Sequence, residues 1–107
     1  MPHLEFITKI LTLWFKEGYS EGELTIEPEW YVLWEPSELE EINQDYKIDQ
    51  YAPGFTSFGG NGGGELFVIN ENKEVFYLPT IGMNAESTIK IAGSLEEFKS
   101  YIIREDF

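Results

Sequence analysis

A cluster of glycines in the middle of this sequence restricts what the chain around it can form. Five of the ten glycines lie in the six positions from Gly59 to Gly64, between the apolar segments 55–58 and 66–69. Glycine adopts positive φ without a Cβ clash, but it loses more backbone entropy on folding than any other residue. The cluster therefore predicts a tight turn between paired strands, or a place where another group approaches the backbone closely.

We assign the bend to Gly59, Gly62, Gly63 and Gly64, and we expect a strand to begin at Glu65. At least one of the last three glycines should have positive φ. The alternative is a phosphate-binding loop, which needs a lysine and a hydroxyl residue after its last glycine and a helix that opens there. Glu65 stands where the lysine would be and a β-prone segment follows, so the sequence favours the turn.

The charge of the chain restricts its partners. Twenty acidic residues against seven basic ones give a formal net charge of −13 at pH 7. Because nucleic acids and anionic membranes are bound through Lys and Arg, we expect neither as a ligand. A basic protein partner is the natural complement, since opposite fields accelerate encounter. The alternative is that the carboxylates only keep a small domain in solution.

The chain has no cysteine, which excludes disulfides and thiolate metal sites and fits a reducing compartment. Its apolar N-terminal segment is interrupted by Lys9, Thr12 and Lys16, so it is too short to span a bilayer, and no signal-peptide cleavage pattern follows. We therefore expect a cytoplasmic protein with one domain over residues 1–107.

Apolar spacing and capping residues predict three helices. An amphipathic pattern predicts the first over residues 2–17. Ser37 with Glu40, and Ser94 with Glu97, have the spacing of capping boxes and predict a middle and a C-terminal helix.

Strands are predicted on either side of the glycine turn and in four further segments. The predicted strands include 24–26, 30–34, 67–69, 75–78 and 88–92, with a turn at 19–23 and a hairpin loop at 70–73. Hairpins in place of right-handed crossovers indicate the α+β class, with an antiparallel sheet of about five or six strands flanked by helices.

The segment 30–34 is apolar on both faces. Trp30, Val32 and Trp34 alternate onto one face, and Tyr31 and Leu33 onto the other. This pattern indicates a central strand, or a strand with one face closed by helices. Core burial of the two tryptophans is favoured over a ligand-binding role, because large aromatic side chains gain most by burial.

Five ordered motifs resemble the SUKH superfamily, in the branch named after the yeast cell-wall-synthesis regulators. The motifs are Tyr31-Val32-Leu33-Trp34-x-Pro36-x-Glu38-Leu39, Asn43-x-x-Tyr46, Pro53-Gly54-Phe55 with Phe58-Gly59-x-x-Gly62-Gly63-Gly64-Glu65, Leu78-Pro79-x-Ile81-Gly82-Met83 and Ser94-Leu95-Glu96-Glu97-Phe98. The resemblance covers about residues 30–103. The first helix departs from the Leu-Pro and aromatic signature of the family.

The resemblance implies a small binding domain without catalytic residues, cofactor or metal. Many bacterial members look like immunity proteins, each of which binds and neutralises a toxin, often a nuclease, encoded beside it. The expected partner is therefore a basic toxin domain, bound by a monomer or weak homodimer. The alternative is an intracellular scaffold or regulator without a toxin partner, as the fungal members suggest.

An enzyme is the rival class. The candidate groups are four carboxylates and a serine: Glu23, Asp45, Asp49, Glu65 and Ser57. A triad hydrolase needs a histidine against its serine, and the only histidine, His3, lies near the N-terminus. No spacing singles out a carboxylate pair for glycoside chemistry. We therefore expect no catalysis.

Partner-binding residues are expected around the tryptophan segment and on the middle helix. The acidic candidates are Glu21, Glu23, Glu27, Glu29, Glu38, Glu41 and Asp45. Trp30 or Tyr31, if exposed, would supply the aromatic anchor that interface hot spots favour. Glu65 has two interpretations: it accepts a partner's Arg or Lys, or it accepts backbone N–H groups of the glycine turn and holds the bend.

Overall fold

The computed structural model describes residues 1–104. Its centre is a six-stranded antiparallel sheet in which each strand pairs with the next along the chain. The strands are β1 (Glu21–Glu23), β2 (Trp30–Leu33), β3 (Thr56–Gly60), β4 (Glu65–Ile69), β5 (Val75–Pro79) and β6 (Ile89–Ala92). The predicted α+β class and antiparallel sheet are confirmed.

Four α-helices accompany the sheet. They are α1 (Leu4–Lys16), α2 (Leu39–Asp45), α3 (Ile48–Tyr51) and α4 (Leu95–Ser100), and short 3₁₀ turns occupy Pro36–Glu38 and Ala85–Ser87. Within residues 1–104, none of the helices has the length and apolar character needed to cross a membrane.

Helices α1 and α4 cover one face of the sheet and build most of the core. Ile7, Leu11 and Trp14 of α1 are buried at the spacing of one helical stripe. Phe98 of α4 packs against Trp14 and against Phe67 of β4, with ring centroids 6.4 and 5.1 Å apart. Aromatic pairs at these distances stabilise the fold beyond the area they bury.

The opposite face is covered at one end only. Ile48 of α3 and Ala52 after it pack with Leu66, Val68 and Leu78 of β4 and β5. The part of this face formed by β1 and β2 presents the exposed side chains of Glu21, Glu23 and Trp30 and the half-buried side chain of Val32. We call this part the open face.

The first strand lies earlier in the chain than the sequence predicts. The predicted turn at 19–23 is wrong, because residues 21–23 pair with β2, and the predicted strand at 24–26 is reduced to one bridge. Leu24 forms that bridge with Ile102, and Ile103 N donates to Glu23 O at 2.9 Å. Residues 101–103 thus cover the outer edge of β1, through a contact between distant parts of the sequence.

One of the two predicted capping boxes is present, with its return hydrogen bond at Gly93, one residue before the N-cap Ser94. Ser94 Oγ accepts from Glu97 N at 3.1 Å, and Glu97 Oε1 accepts from Gly93 N at 2.8 Å. The capping box at Ser37 is wrong, since neither the 3₁₀ turn nor α2 has a side-chain cap. Pro36 begins the 3₁₀ turn, where its fixed φ is already suitable, and α2 follows one turn later.

Candidate functional site

The glycine bend joins β3 to β4 and is closed by the side chain of Asn61. Asn61 Oδ1 accepts the backbone N–H groups of Gly63 and Glu65 at 2.9 and 3.1 Å, and Asn61 Nδ2 donates to Glu65 Oε2 at 3.2 Å. Gly62 and Gly64 have φ of 76° and 106°, in the region that favours glycine. The predicted turn, its positive φ and the strand that begins at Glu65 are confirmed.

The other two glycines assigned to the bend behave differently. Gly63 lies in the bend but outside the positive-φ region. Gly59 lies inside β3, where a Cβ would come within 2.6 Å of Val32 O. The assignment of Gly59 to the bend is therefore wrong. Gly59 instead permits the close approach of β2 to β3, which is the second of the two roles that the sequence predicted for the glycine cluster.

The next hairpin is closed by the same side-chain pattern. Asn70 Oδ1 accepts from Asn72 N and Glu74 N at 3.0 and 2.9 Å, and Asn70 Nδ2 donates to Glu74 Oε1 at 2.9 Å. Both loops have the sequence Asn-x-x-x-Glu. This internal repeat is the sequence signal that predicts closure of the turn by the Asn61 side chain. The glycine pattern alone does not predict that role.

Glu65 does not hold the bend in the way its local interpretation predicts. The amides of the bend are bonded by Asn61, and Asn61 also donates to the Glu65 carboxylate. The half-buried Glu65 side chain lines a surface groove together with Val32 and Trp34. Asn61 therefore orients this carboxylate toward a place that a ligand can reach.

This groove, which we call the Trp34 groove, has an aromatic wall. Trp34 and Tyr46 stack with ring centroids 6.4 Å apart and an interplanar angle of 18°. Trp34 Nε1 donates to Ser57 Oγ at 3.0 Å, which fixes the indole. A Cβ on Gly60 would lie 3.1 Å from the indole, a tight contact, so glycine at this position favours the observed place of the ring. The groove encloses about 310 Å³.

A second hollow of about 470 Å³ adjoins the Trp34 groove and shares Tyr46 and Thr80 with it. Its lining comes from α2, α3 and the loop after β5: Asp45, Tyr46, Lys47, Tyr51, Thr80, Gly82 and Met83. In that loop Ile81 is 93% exposed. The sequence assigned no chemistry to this loop, because no local pattern shows that Thr80, Gly82 and Met83 line a hollow together with Tyr46. The two family-like motifs that contain Tyr46 and Met83 were the available signals.

The open face continues from the Trp34 groove through Val32. The strand register pairs Glu21 with Val32 and Glu23 with Trp30. Paired residues of antiparallel strands project to the same face. Trp30 is 39% exposed, so the open face presents an indole beside acidic side chains.

Tyr31 projects to the other face of β2 and is only 1% exposed. Its ring meets Phe98 edge-on at 6.0 Å. Tyr31 is therefore excluded as a partner anchor, which leaves Trp30 of the two residues named from the sequence. Burial raises the pKa of the Tyr31 phenol to about 12.

The predicted acidic residues do not form one cluster. Glu21 and Glu23 lie on the open face, Glu65 in the Trp34 groove and Asp45 in the second hollow. The remaining four are exposed in the β1–β2 connection or near the start of α2 and line neither groove nor hollow: Glu27, Glu29, Glu38 and Glu41.

The carboxylates of this region are not neutralised within the described part of the chain. The ion pairs among residues 1–104 join Asp49 to the N-terminal amine, Glu74 to Lys90 and Glu17 to Lys99. Among the described residues, no ion pair therefore involves a carboxylate of the open face or of the Trp34 groove.

His3 has a structural partner that the sequence did not suggest. Its Nε2 lies 2.7 Å from Glu71 O, in the loop between β4 and β5. Within the 104 described residues, no three His, Asp or Glu side chains are placed to hold a metal ion.

Among known proteins, no family model matches the chain and no curated protein matches it significantly. Its function must therefore be inferred from the residues of this surface.

Proposed function

We propose that this chain is a non-catalytic, cytoplasmic binding protein that neutralises a cognate toxin by binding it, as the immunity proteins of the SUKH superfamily that it resembles do. One observation carries the proposal. Trp30 is exposed on the open face beside Glu21 and Glu23, whose charges no cation in the described chain pairs with.

An exposed indole within an acidic surface suits a basic protein partner. Tryptophan is among the residues that carry most of the binding free energy at interfaces. Carboxylates around such an anchor attract a basic partner and act mainly on the association rate. The net charge of −13 extends this attraction beyond the open face itself.

The anchor is held on rigid backbone. Tyr31, next to Trp30 in β2, is buried and packs against Phe98 of α4. β2 is paired on both sides, with β1 and with β3. A preorganised anchor loses less conformational entropy on binding, so more of its contact free energy appears as affinity.

A scaffold or regulator that binds a peptide without any toxin is the second candidate. The hollow beside Tyr46 and Tyr51 favours it, because concave sites lined by aromatic side chains accept the anchors of peptide ligands. The two candidates differ in the partner, and the partner is what the experiment must identify.

Co-expression with the toxin encoded beside the gene tests the proposal. We expect restored growth of toxin-producing cells and a purified complex whose association rate falls steeply between low and high salt. Trp30→Ala should weaken that complex about 30-fold, the effect of losing a hot-spot side chain.

The matched control is Ile89→Ala, since Ile89 is also exposed but lies on the strand at the other end of the sheet. This variant should bind as the unchanged chain does. If no toxin gene lies beside this one and the purified chain retains no basic protein, the immunity function is rejected and the scaffold function replaces it.

A further inference from the structure

The Trp34 groove combines an aromatic wall with one oriented carboxylate. We propose that it receives an arginine side chain of the partner, whose guanidinium stacks on the Trp34–Tyr46 wall and pairs with Glu65. The inference deepens the proposed function, on which it rests, by naming the residue type that the basic partner would insert.

The first argument is charge. Glu65 Oε2 accepts from Asn61, and within residues 1–104 no other hydrogen bond and no ion pair reaches this carboxylate. Glu65 is half-buried in a groove with apolar walls. A carboxylate there interacts with a cation more strongly than it would in bulk water, because the local dielectric is lower.

The second argument is the geometry of the wall. Trp34 already donates its indole N–H to Ser57, so this donor is not free for a ligand of the groove. Tyr46 stacks on it and remains 39% exposed. A planar guanidinium stacks on such a surface and is more weakly hydrated than the ammonium of lysine, which favours arginine.

The chain itself uses this type of contact elsewhere. The Arg104 guanidinium lies 4.0 Å from the ring centroid of Tyr19, and Lys73 Nζ lies 4.1 Å from that of Phe6. In the described part of the chain, neither Trp34 nor Tyr46 has such a cation over its ring. The aromatic wall of the groove is therefore available to a cation from outside.

The third argument is size. The groove has a volume of about 310 Å³, near the lower limit for small-ligand sites. A Cβ on Gly60 would make tight contacts of 3.1 Å with both the indole and Glu65 O, so glycine at this position leaves room beside the ring. The space suits one long side chain rather than a folded segment.

The test uses the peptide acetyl-Gly-Arg-Gly-amide as the probe. The ¹⁵N-labelled chain is titrated at low salt, and NMR follows the Trp34 indole N–H and the backbone amides of residues 62–65. We expect saturable shifts at these positions with the arginine peptide. The lysine peptide should bind at least threefold more weakly, and the uncharged isostere with citrulline should cause no saturable shift.

Glu65→Gln should weaken arginine binding at least tenfold. Glu74→Gln is the matched control, because Glu74 occupies the same position in the second Asn-x-x-x-Glu loop but does not line the groove. Tyr46→Ala is a second variant, at an exposed position. It tests the arginine site independently if Glu65→Gln changes the fold. It should also weaken binding at least tenfold.

Equal shifts with the arginine and citrulline peptides would overturn the inference, as would arginine binding that both Glu65→Gln and Tyr46→Ala leave unchanged. A toxin complex that is weakened by Trp30→Ala but not by Glu65→Gln rejects the arginine site and leaves the proposed function standing. If arginine binds in the groove but the chain neutralises no toxin, the arginine site stands and the proposed function is rejected.

Discussion

Asn43 is joined to Ser57 by two hydrogen bonds that reproduce one rung of a β-ladder. Ser57 N donates to Asn43 Oδ1 at 2.7 Å, and Asn43 Nδ2 donates to Ser57 O at 2.9 Å. β2 pairs with β3 at Gly59 and Gly60, so at Ser57 a side-chain amide takes the place of the neighbouring strand. This pairing fixes α2 against the sheet, and with it the position of Tyr46 at its end.

Replacing Asn43 by leucine, which has a similar size, should lower the free energy of unfolding by about 3 kcal/mol. The buried N–H and C=O of Ser57 would lose their partners, and each unsatisfied group costs roughly 1–3 kcal/mol. Urea denaturation followed by tryptophan fluorescence measures the change. Gln44→Ala, at an exposed neighbour on the same helix, should change stability by less than about 0.5 kcal/mol. Equal stability of the two variants would contradict the structural role of Asn43.

Two adjacent glycines of the bend, Gly63 and Gly64, should differ in how much an alanine substitution lowers stability. Gly64→Ala is expected to destabilise by roughly 1–3 kcal/mol, because Gly64 has a φ of 106° that a side chain rarely tolerates. Gly63→Ala should cost less than about 0.5 kcal/mol, since Gly63 has ordinary φ and a Cβ would make only normal contacts with Asn61. Thermal melts of the two single variants give the comparison, and a Gly63 variant that melts lower than the Gly64 variant would refute it.

Gly59→Ala should separate β2 from β3. A Cβ at this position would lie 2.6 Å from Val32 O, and backbone cannot yield as a flexible side chain does. We expect a loss of roughly 1–3 kcal/mol, as for other overpacked sites. Gly93→Ala is the control, because the nearest atom to its added Cβ would be 4.0 Å away. Urea midpoints that coincide for the two variants would be inconsistent with the observed strand approach.

The free energy of unfolding should fall at alkaline pH because the buried phenol of Tyr31 ionises. Its pKa is raised by burial from 10.0 to about 12, so folding favours the neutral phenol. This contribution is fully present below pH 10 and is lost as the pH rises from 10 to 12. The contribution is on the order of a few kcal/mol.

The measurement is the urea midpoint of the chain and of Tyr31→Phe between pH 9 and pH 12. The phenylalanine variant should lose less stability over this interval, because it has no phenol to ionise. Tyr51→Phe, at an exposed position, should keep the alkaline loss of the unchanged chain. Parallel pH profiles for all three proteins would show that burial of Tyr31 is not the cause.

Local patterns predicted the elements whose determinants lie within a few residues. Ser94 and Glu97 form their capping box because both partners are in the first turn of α4. Leu24 was misassigned because its bridge partner is Ile102, at the far end of the described chain. Alternation along β2 separated its two faces correctly, but two apolar faces do not tell which one α1 and α4 will cover. The predicted core burial of Trp30 is therefore wrong, and the burial of Tyr31 was not predictable.

The candidate site was predictable only in part. Glu65 and the turn before it follow from local sequence, and so does the presence of Trp30 on a strand. The Trp34 groove is different, because α2, the glycine bend and the end of β5 each contribute to it. Tyr46 and Thr80 acquire their place from tertiary packing, and no periodicity within one segment brings them together.

The order of the strands also bears on how the chain folds. Every strand pairs with its neighbour in sequence, and four of the five connections contain no α-helix, so most pairings close short loops at small entropic cost and favour fast folding. The bridge from Leu24 to Ile102 joins more distant segments than any of the strand pairings, so it forms only after those segments meet. Until then the outer edge of β1 is open to pairing with another copy. The acidic residues of β1 and the charge of −13 repel such a copy during that interval, so the same charge disfavours aggregation of the folding chain.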